Sequence, residues 1–478
     1  MRLHVVAFPV VLLCLAACDR PAPSAASGGT PLAITHVTVI DVAATDAEVA
    51  RRTGQTVVIV GGEIRDVAPD SSATIPAGAA VIDGSGKFLI PGLWDAHAHL
   101  TYGGRGAMEV LVANGVTGAR DLGGRFDELQ RLRADVKSGQ LAGPLIVAAG
   151  PNVEGAWWLD AVTQMASSDS LLRQFRFLER SPRLRLGSPA DATAIVDSVR
   201  KLGADLLKFR NVQGDEFRAL AGAARRAGLP LTGHAPRGVS IAEAADSGMQ
   251  SIEHMETVML SLGDAADSAR RAQFAAVAKA GAAITPTLIA DVAYRQTPDS
   301  VAYAAVADSA GALDPRRRSL GAELVTMWKF GLDIKRLEGP GGDWAGSHRE
   351  QLADLKRAGD AGVTLLVGTD VGVSLVYPGY AVHDELRLLV EEGGLTPLEA
   401  LRAATINPAR IFGLGATAGV VAPGRRADLV LLTADPLADV RNTTRIDAVV
   451  LGGKAFARQA LDSLVADAER LAKAPAVP

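Results

Sequence analysis

The sequence predicts an α/β fold, a (β/α)8 TIM barrel with a small composite β-sandwich formed by the N- and C-terminal segments. Three observations predict it. Short apolar runs alternate with helix-patterned stretches through the middle of the chain, as in a parallel sheet with covering helices. Several runs carry a polar residue at or near their ends: His97 and His99 in FLIPGLWDAHAHL, Lys208 in ADLLKFR, His234 in LPLTGHA, His254 in SIEHM and Asp370 in TLLVGTD, all but the lysine being types that bind metals. The two chain ends instead alternate β-branched runs with turns.

Residues 1–18 read as an export signal. Arg2 supplies a positive start, and Val5 to Ala17 is apolar and uncharged. That stretch is too short to span a hydrocarbon core of roughly 30 Å at about 1.5 Å per residue. Leu15-Ala16-Ala17-Cys18 resembles a bacterial lipobox, which implies lipidation at Cys18. The expectation is an exported protein, lipid-anchored in the bacterial cell envelope and facing the periplasm. A plain secretory signal with an incidental cysteine is the alternative. Residues 19–31 have the composition of a flexible tether. Cys14 and Cys18 are the only cysteines, so the rest of the chain has no thiol pair for a disulfide.

Residues 32–87 form the N-terminal part of the sandwich, with Gly61-Gly62 and Asp83-Gly84 as turn punctuation. Residues 413–478 form its C-terminal part and a tail helix. Neither part holds enough strands for a sturdy sheet, so the two are expected to combine. The barrel occupies 88–412, with strands at 88–94, 115–122, 144–150, 206–210, 229–235, 251–255, 282–288 and 364–370. Helices are expected at 188–203, which opens on Ser188-Pro189, and at 214–228, with acids first, arginines last and a closing glycine. The long connections 151–205 and 289–363 follow strands three and seven. They should lie over the face where barrel active sites form.

Ligands at the ends of parallel barrel strands converge on one mouth. His97 and His99 are two apart on a strand and leave the same face. With His234, His254, Asp370 and Lys208 they read as one site for two divalent ions, zinc first. A protonated lysine cannot bind a cation, but its carbamate is an anionic ligand with two oxygens. A salt-bridged lysine, or one that contacts an acidic substrate, is the alternative. Asp370 could also be a helix N-cap, but as a ligand it can take a proton from an activated water. The set points to hydrolysis without a serine or cysteine nucleophile, and no G-x-S-x-G elbow is present.

These residues, with PGLWDAHAHL, GVTGARDLGG, GLPLTGHAP, GMQSIEHMETV, LLVGTDVG and APGRRADLVLL, resemble the amidohydrolase superfamily over nearly the whole chain after the leader. The likeness extends to its imidazolonepropionase-like proteins and its Xaa-Pro or Xaa-Arg dipeptidases. It implies His97, His99 and Asp370 on one metal, His234 and His254 on the other, and carbamylated Lys208 between them. It also implies hydrolysis of an amide or peptide-like C–N bond of a small or dipeptide-like substrate. A lactone or ester hydrolase, or an inactive binding lipoprotein, are the alternatives. Ala235-Pro236-Arg237 lacks the glutamate that deaminases of this type place after the histidine, which counts against deamination.

Arg120 and Asp121, at the end of strand two, read as a structural ion pair, with contact to substrate as the alternative. Trp157, Trp158, Tyr377 and Tyr380 read as packing aromatics, with a place in the pocket lining as the alternative, and His383 as structural rather than catalytic; His36 and His348 have no evident partner in the sequence. The net charge of −4 offers no basic face for nucleic acid. The expected partners are a small substrate and, through the lipid anchor, a membrane. Assembly as a homo-oligomer is left open.

Overall fold

Leu93–Ala98, Val116–Asp121, Leu145–Ala148, Leu207–Arg210, Leu231–Gly233, Met249–Glu253, Ala283–Thr285 and Thr364–Leu365 are the eight strands of a parallel barrel. Neighbours pair in parallel along the series, with register shifts between strands one and two and between strands five and six. The ring closes through bridges between Ala149 and Leu206 and between Ala98 and Val371. This computed structural model describes residues 30–168, 182–338 and 343–474. The leader, with Cys18, and nearly all of the tether lie outside the described residues.

The barrel helices follow their local sequence signals. Gly214–Ala227 starts with a reciprocal capping box between Gln213 and Glu216 and ends on Gly228 at φ 64°. Its Phe217, Leu220 and Ala224 face the core. The helix expected at 188–203 is a short 3-10 turn, Pro189–Asp191, running into Ala192–Lys201, with Ser188 and Asp191 capping the start.

The run 88–94, expected as one barrel strand, is two strands. Phe88–Pro91 pairs with Leu32–Ile40 and with Leu429–Leu432 in the sheet of the chain ends. Barrel strand one begins after it, at Leu93. Gly92 marks the break, because a side chain there would run into Thr117 of strand two. The structure also adds two short strands inside the connection 151–205, Asn152–Gly155 and Arg183–Leu186, which pair in parallel beside strand four.

The strands of the chain ends form one eight-stranded sheet. It rolls on itself. The turn at Gly61-Gly62 meets the turn at Gly452-Gly453, and Ala427 N–H donates to the Gly62 carbonyl at 2.9 Å. Between the facing halves lie Ile34, Val37, Val57, Ile59, Leu429 and Leu431, all buried. The C-terminal helix Arg458–Lys473 leaves this sheet and packs on barrel helix Leu100–Ala113, with Ala468 against Gly106.

Candidate metal centre

The six residues singled out in the sequence line one cleft of about 1000 Å3. His97 lies inside strand one and His99 just beyond it. Lys208 lies in strand four, while His234 and His254 directly follow strands five and six. Asp370 ends the extended stretch after Thr364–Leu365, and its N–H donates to the His97 carbonyl at 2.7 Å. His254 and Asp370 both hold positive φ, 66° and 57°, the sharp bends that turn these side chains into the mouth.

Asp370 is the hub. His99 Nε2 is 3.1 Å and His97 Nε2 3.4 Å from its Oδ1, and His254 Nδ1 is 3.9 Å from its Oδ2. Ligand atoms of His97, His254 and Asp370 lie within 4.8 Å of one another. His234 stacks edge-on against His254 with ring centroids 4.7 Å apart. Lys208 is fully buried and, among the described residues, forms no ion pair with a carboxylate.

The outer nitrogens of the histidines are tied down. His97 Nδ1 bonds Glu253 Oε2 at 2.9 Å, His99 Nδ1 bonds the Gly123 carbonyl at 2.6 Å, and His254 Nδ1 bonds Thr287 Oγ1 at 2.8 Å. The glutamate and the carbonyl can only accept here, so they fix the proton of His97 and His99 on Nδ1 and leave Nε2 as a lone-pair donor. His97 Nε2 is buried and has no hydrogen-bond partner. An orphaned buried imidazole nitrogen beside a carboxylate fits a metal ion.

The electrostatics agree with that fit. Burial holds His97 and His234 well below the ordinary imidazole range and His254 down to about 4, so all three are neutral. Burial brings the Lys208 amine down to about 7, with Glu253 and Asp370 resisting and Arg210 and Arg120 assisting.

Sequence reasoning missed Glu253. It is fully buried beneath the cleft, pairs with Arg120 Nη2 at 2.7 Å, and accepts from Thr232 and Ser251 hydroxyls at 2.6 Å each. Arg120 also donates to the Ala96 carbonyl at 2.6 Å. Arg120 is thus in a structural ion pair, with Glu253 rather than Asp121. Asp121 accepts from the N–H groups of Leu100 and Gly123. The signal for Glu253 was its place directly before a strand-end histidine, inside an apolar run.

Trp157, Trp158, Tyr377 and Tyr380 do not line the cleft. Tyr377 packs edge-on against Trp328, and Arg316 lies over both Tyr377 and Tyr380. His383 is buried between Thr443 Oγ1 and the Asn114 carbonyl, a structural role. His348, which the sequence left without a partner, pairs with Glu392 at 2.9 Å and faces Asp291 at 3.5 Å. His36 meets Asp83 at 3.3 Å on the surface.

Residues 88–456 match the Amidohydrolase family. The chain belongs to that family. Among solved structures, this chain is similar to a putative prolidase from Bifidobacterium longum, with TM-score 0.67 and 26% identity over 92% of this chain and 100% of the other. An ochratoxinase of Aspergillus niger is 39% identical over 100 residues, 20% of each chain. An imidazolonepropionase of Deinococcus deserti is 42% identical over 90 residues, 18% of this chain and 22% of the other. The aligned stretches thus span about a fifth of these curated relatives.

Proposed function

We propose that this amidohydrolase-family protein is a metal-dependent hydrolase that cleaves an amide or peptide-like C–N bond of a small substrate. The observation that carries the reading is the histidine cluster around Asp370, with the Nδ1 atoms of His97, His99 and His254 already engaged. His97, His99 and Asp370 would hold one divalent ion and His234 and His254 a second, with zinc the first candidate for both. The relatives support the bond type, since a prolidase-like protein, an ochratoxinase and an imidazolonepropionase stand among them.

Lys208 is proposed as a carbamate between the ions. An amine held near 7 is partly neutral at neutral pH, and only the neutral amine attacks CO2, releasing one proton as the N–C bond forms. When bound, the ions lower the pKa of water toward neutrality and polarise the substrate carbonyl. Asp370 holds the proton-accepting position at its Oδ atoms, takes a proton from the attacking water and returns it to the departing nitrogen. The barrel wall behind His97, sealed by Glu253 and Arg120, keeps water from reaching the site from below.

The test is metal content together with turnover on dipeptides, N-acyl amino acids and lactones. About two ions per chain, loss of C–N hydrolysis on chelation and its return with added metal are expected. Fewer than one bound ion after growth with ample metal, or cleavage of lactones alone, would reject the reading. We also propose that the protein is exported and held to the envelope by lipid on Cys18, which rests on the lipobox-like sequence. Cys18→Ser should release the protein from membranes or leave its leader uncleaved, and unchanged membrane retention with a processed N-terminus would reject the anchor.

A further inference from the structure

One wall of the cleft carries more positive charge than its one nearby carboxylate balances. Arg210 ends barrel strand four and Arg237 follows strand five, and both line the cleft with the metal-ligand candidates. Glu154 is the only carboxylate near Arg210 among the described residues, 3.5 Å from its Nε, and it is shared with Arg183 at 3.7 Å. Its other oxygen already accepts from Asn211 Nδ2 at 3.0 Å. Arg210 Nε is buried and has no hydrogen-bond partner. Arg237 has no carboxylate within ion-pairing distance among the described residues. The anions of the facing wall are committed elsewhere, since Glu256 and Asp291 both pair with Arg295.

The two guanidiniums are held by neighbouring tryptophans. Helix Ala156–Ser168 follows the inserted strand Asn152–Gly155 and puts Trp157 and Trp158 at its start. Arg237 stacks over the Trp157 ring at 4.4 Å, and Arg210 lies over Trp158 at 5.7 Å. Trp157 is itself fixed, because its indole N–H donates to the Asn211 carbonyl at 2.7 Å. A guanidinium stacked on an indole through its face keeps its N–H edge available, which is the fork that matches a carboxylate.

We propose that Arg237, assisted by Arg210, is the specificity determinant for a substrate with a free carboxylate, with Trp157 as its positioning residue. The inference deepens the hydrolase reading and rests on it for the substrate class: an N-acyl amino acid or dipeptide held by its terminal carboxylate, rather than a neutral amide.

Binding tests it without turnover. Calorimetry on the metal-loaded full chain compares 3-phenylpropionate with 3-phenylpropanol, a matched acid and alcohol that have no bond to hydrolyse. The wild type should bind the acid at least about tenfold more tightly, in the range of a charge-assisted pair. Arg237→Met should remove most of that preference and leave alcohol binding within about twofold. Arg237→Lys should restore only part of it, because the ammonium keeps the charge but not the fork. Trp157→Leu should weaken acid binding with Arg237 intact. Arg237 is exposed, so its variants should melt with the wild type.

Acid binding unchanged in all three variants would overturn the proposal, and it is also the result expected if the metal centre alone captures carboxylates. A protein that hydrolyses amides but shows no dependence on residue 237 sinks the carboxylate subsite alone. A protein with acid binding dependent on residue 237, but no C–N hydrolysis on the full panel, keeps the subsite and sinks the hydrolase reading.

Discussion

Glu253 decides which nitrogen of His97 faces the cleft, and Arg120 keeps that carboxylate charged where burial alone would neutralise it. Glu253→Gln leaves the buried guanidinium without its counter-charge. It should cost about 3–5 kcal/mol of stability and lower metal affinity by roughly 10–100-fold, read by denaturant melts and metal titration. Lys208→Ala should lose at least one ion and lower activity by orders of magnitude, with partial rescue by acetate or propionate; Lys208→Arg should not be rescued. Two ions and near-full activity in Lys208→Ala would remove the carbamate from the proposal. The strand-end residues of the cleft were legible in the sequence because each puts a polar group where an apolar run stops. Glu253 was not, because its partner Arg120 lies on another strand and only the closed barrel brings the two together. His348 was hidden for the same reason, since Asp291 and Glu392 come from distant segments.

At the scale of elements, the segment after strand eight lies so close against strand one that position 368 has room only for a glycine. A Cβ at Gly368 would come within 2.5 Å of Thr285 Cγ2 and 2.7 Å of His97 Cβ. Gly368→Ala should therefore push His97 aside and reduce metal loading and turnover at least tenfold while the barrel still folds; metal content at the wild-type level would contradict this. The alternation of strand and helix was legible because apolar period and capping residues agree along most of the barrel. The run 88–94 misled because Phe88–Pro91 and Leu93–Ala98 are both apolar and adjacent, yet belong to different sheets. The inserted strands Asn152–Gly155 and Arg183–Leu186 are four residues each and too short for a periodic signal.

For the whole molecule, His383 ties three regions together: its own helix Tyr380–Glu391, the end of barrel helix Leu100–Ala113 at Asn114, and the C-terminal segment at Thr443. Burial lowers its pKa to about 4 from the ordinary imidazole value of 6.5. The folded state therefore excludes a proton that the unfolded chain binds between those values. Stability linked to His383 is complete above pH 6.5, declines as pH falls to 4, and changes no further below that. The loss should reach about 3 kcal/mol across the window. His383→Gln, which can still donate to Asn114 and accept from Thr443, should lose less over the same range. Parallel pH profiles for the two proteins would show that His383 is not the sensor. The union of the chain ends was legible because neither end had strands enough alone. Its rolling into facing halves was not, since it depends on contacts between glycine turns almost 400 residues apart.

That shared sheet also sets when the protein can be finished. Phe88–Pro91 is covered on one side by a strand made early and on the other by Leu429–Leu432, which is made near the end of synthesis. Until the last segment arrives, the early strands keep an open edge whose backbone groups and apolar side chains remain available to proteases and chaperones. A chain that stops short of residue 429 cannot close this edge, so interrupted products are marked for removal by the architecture itself.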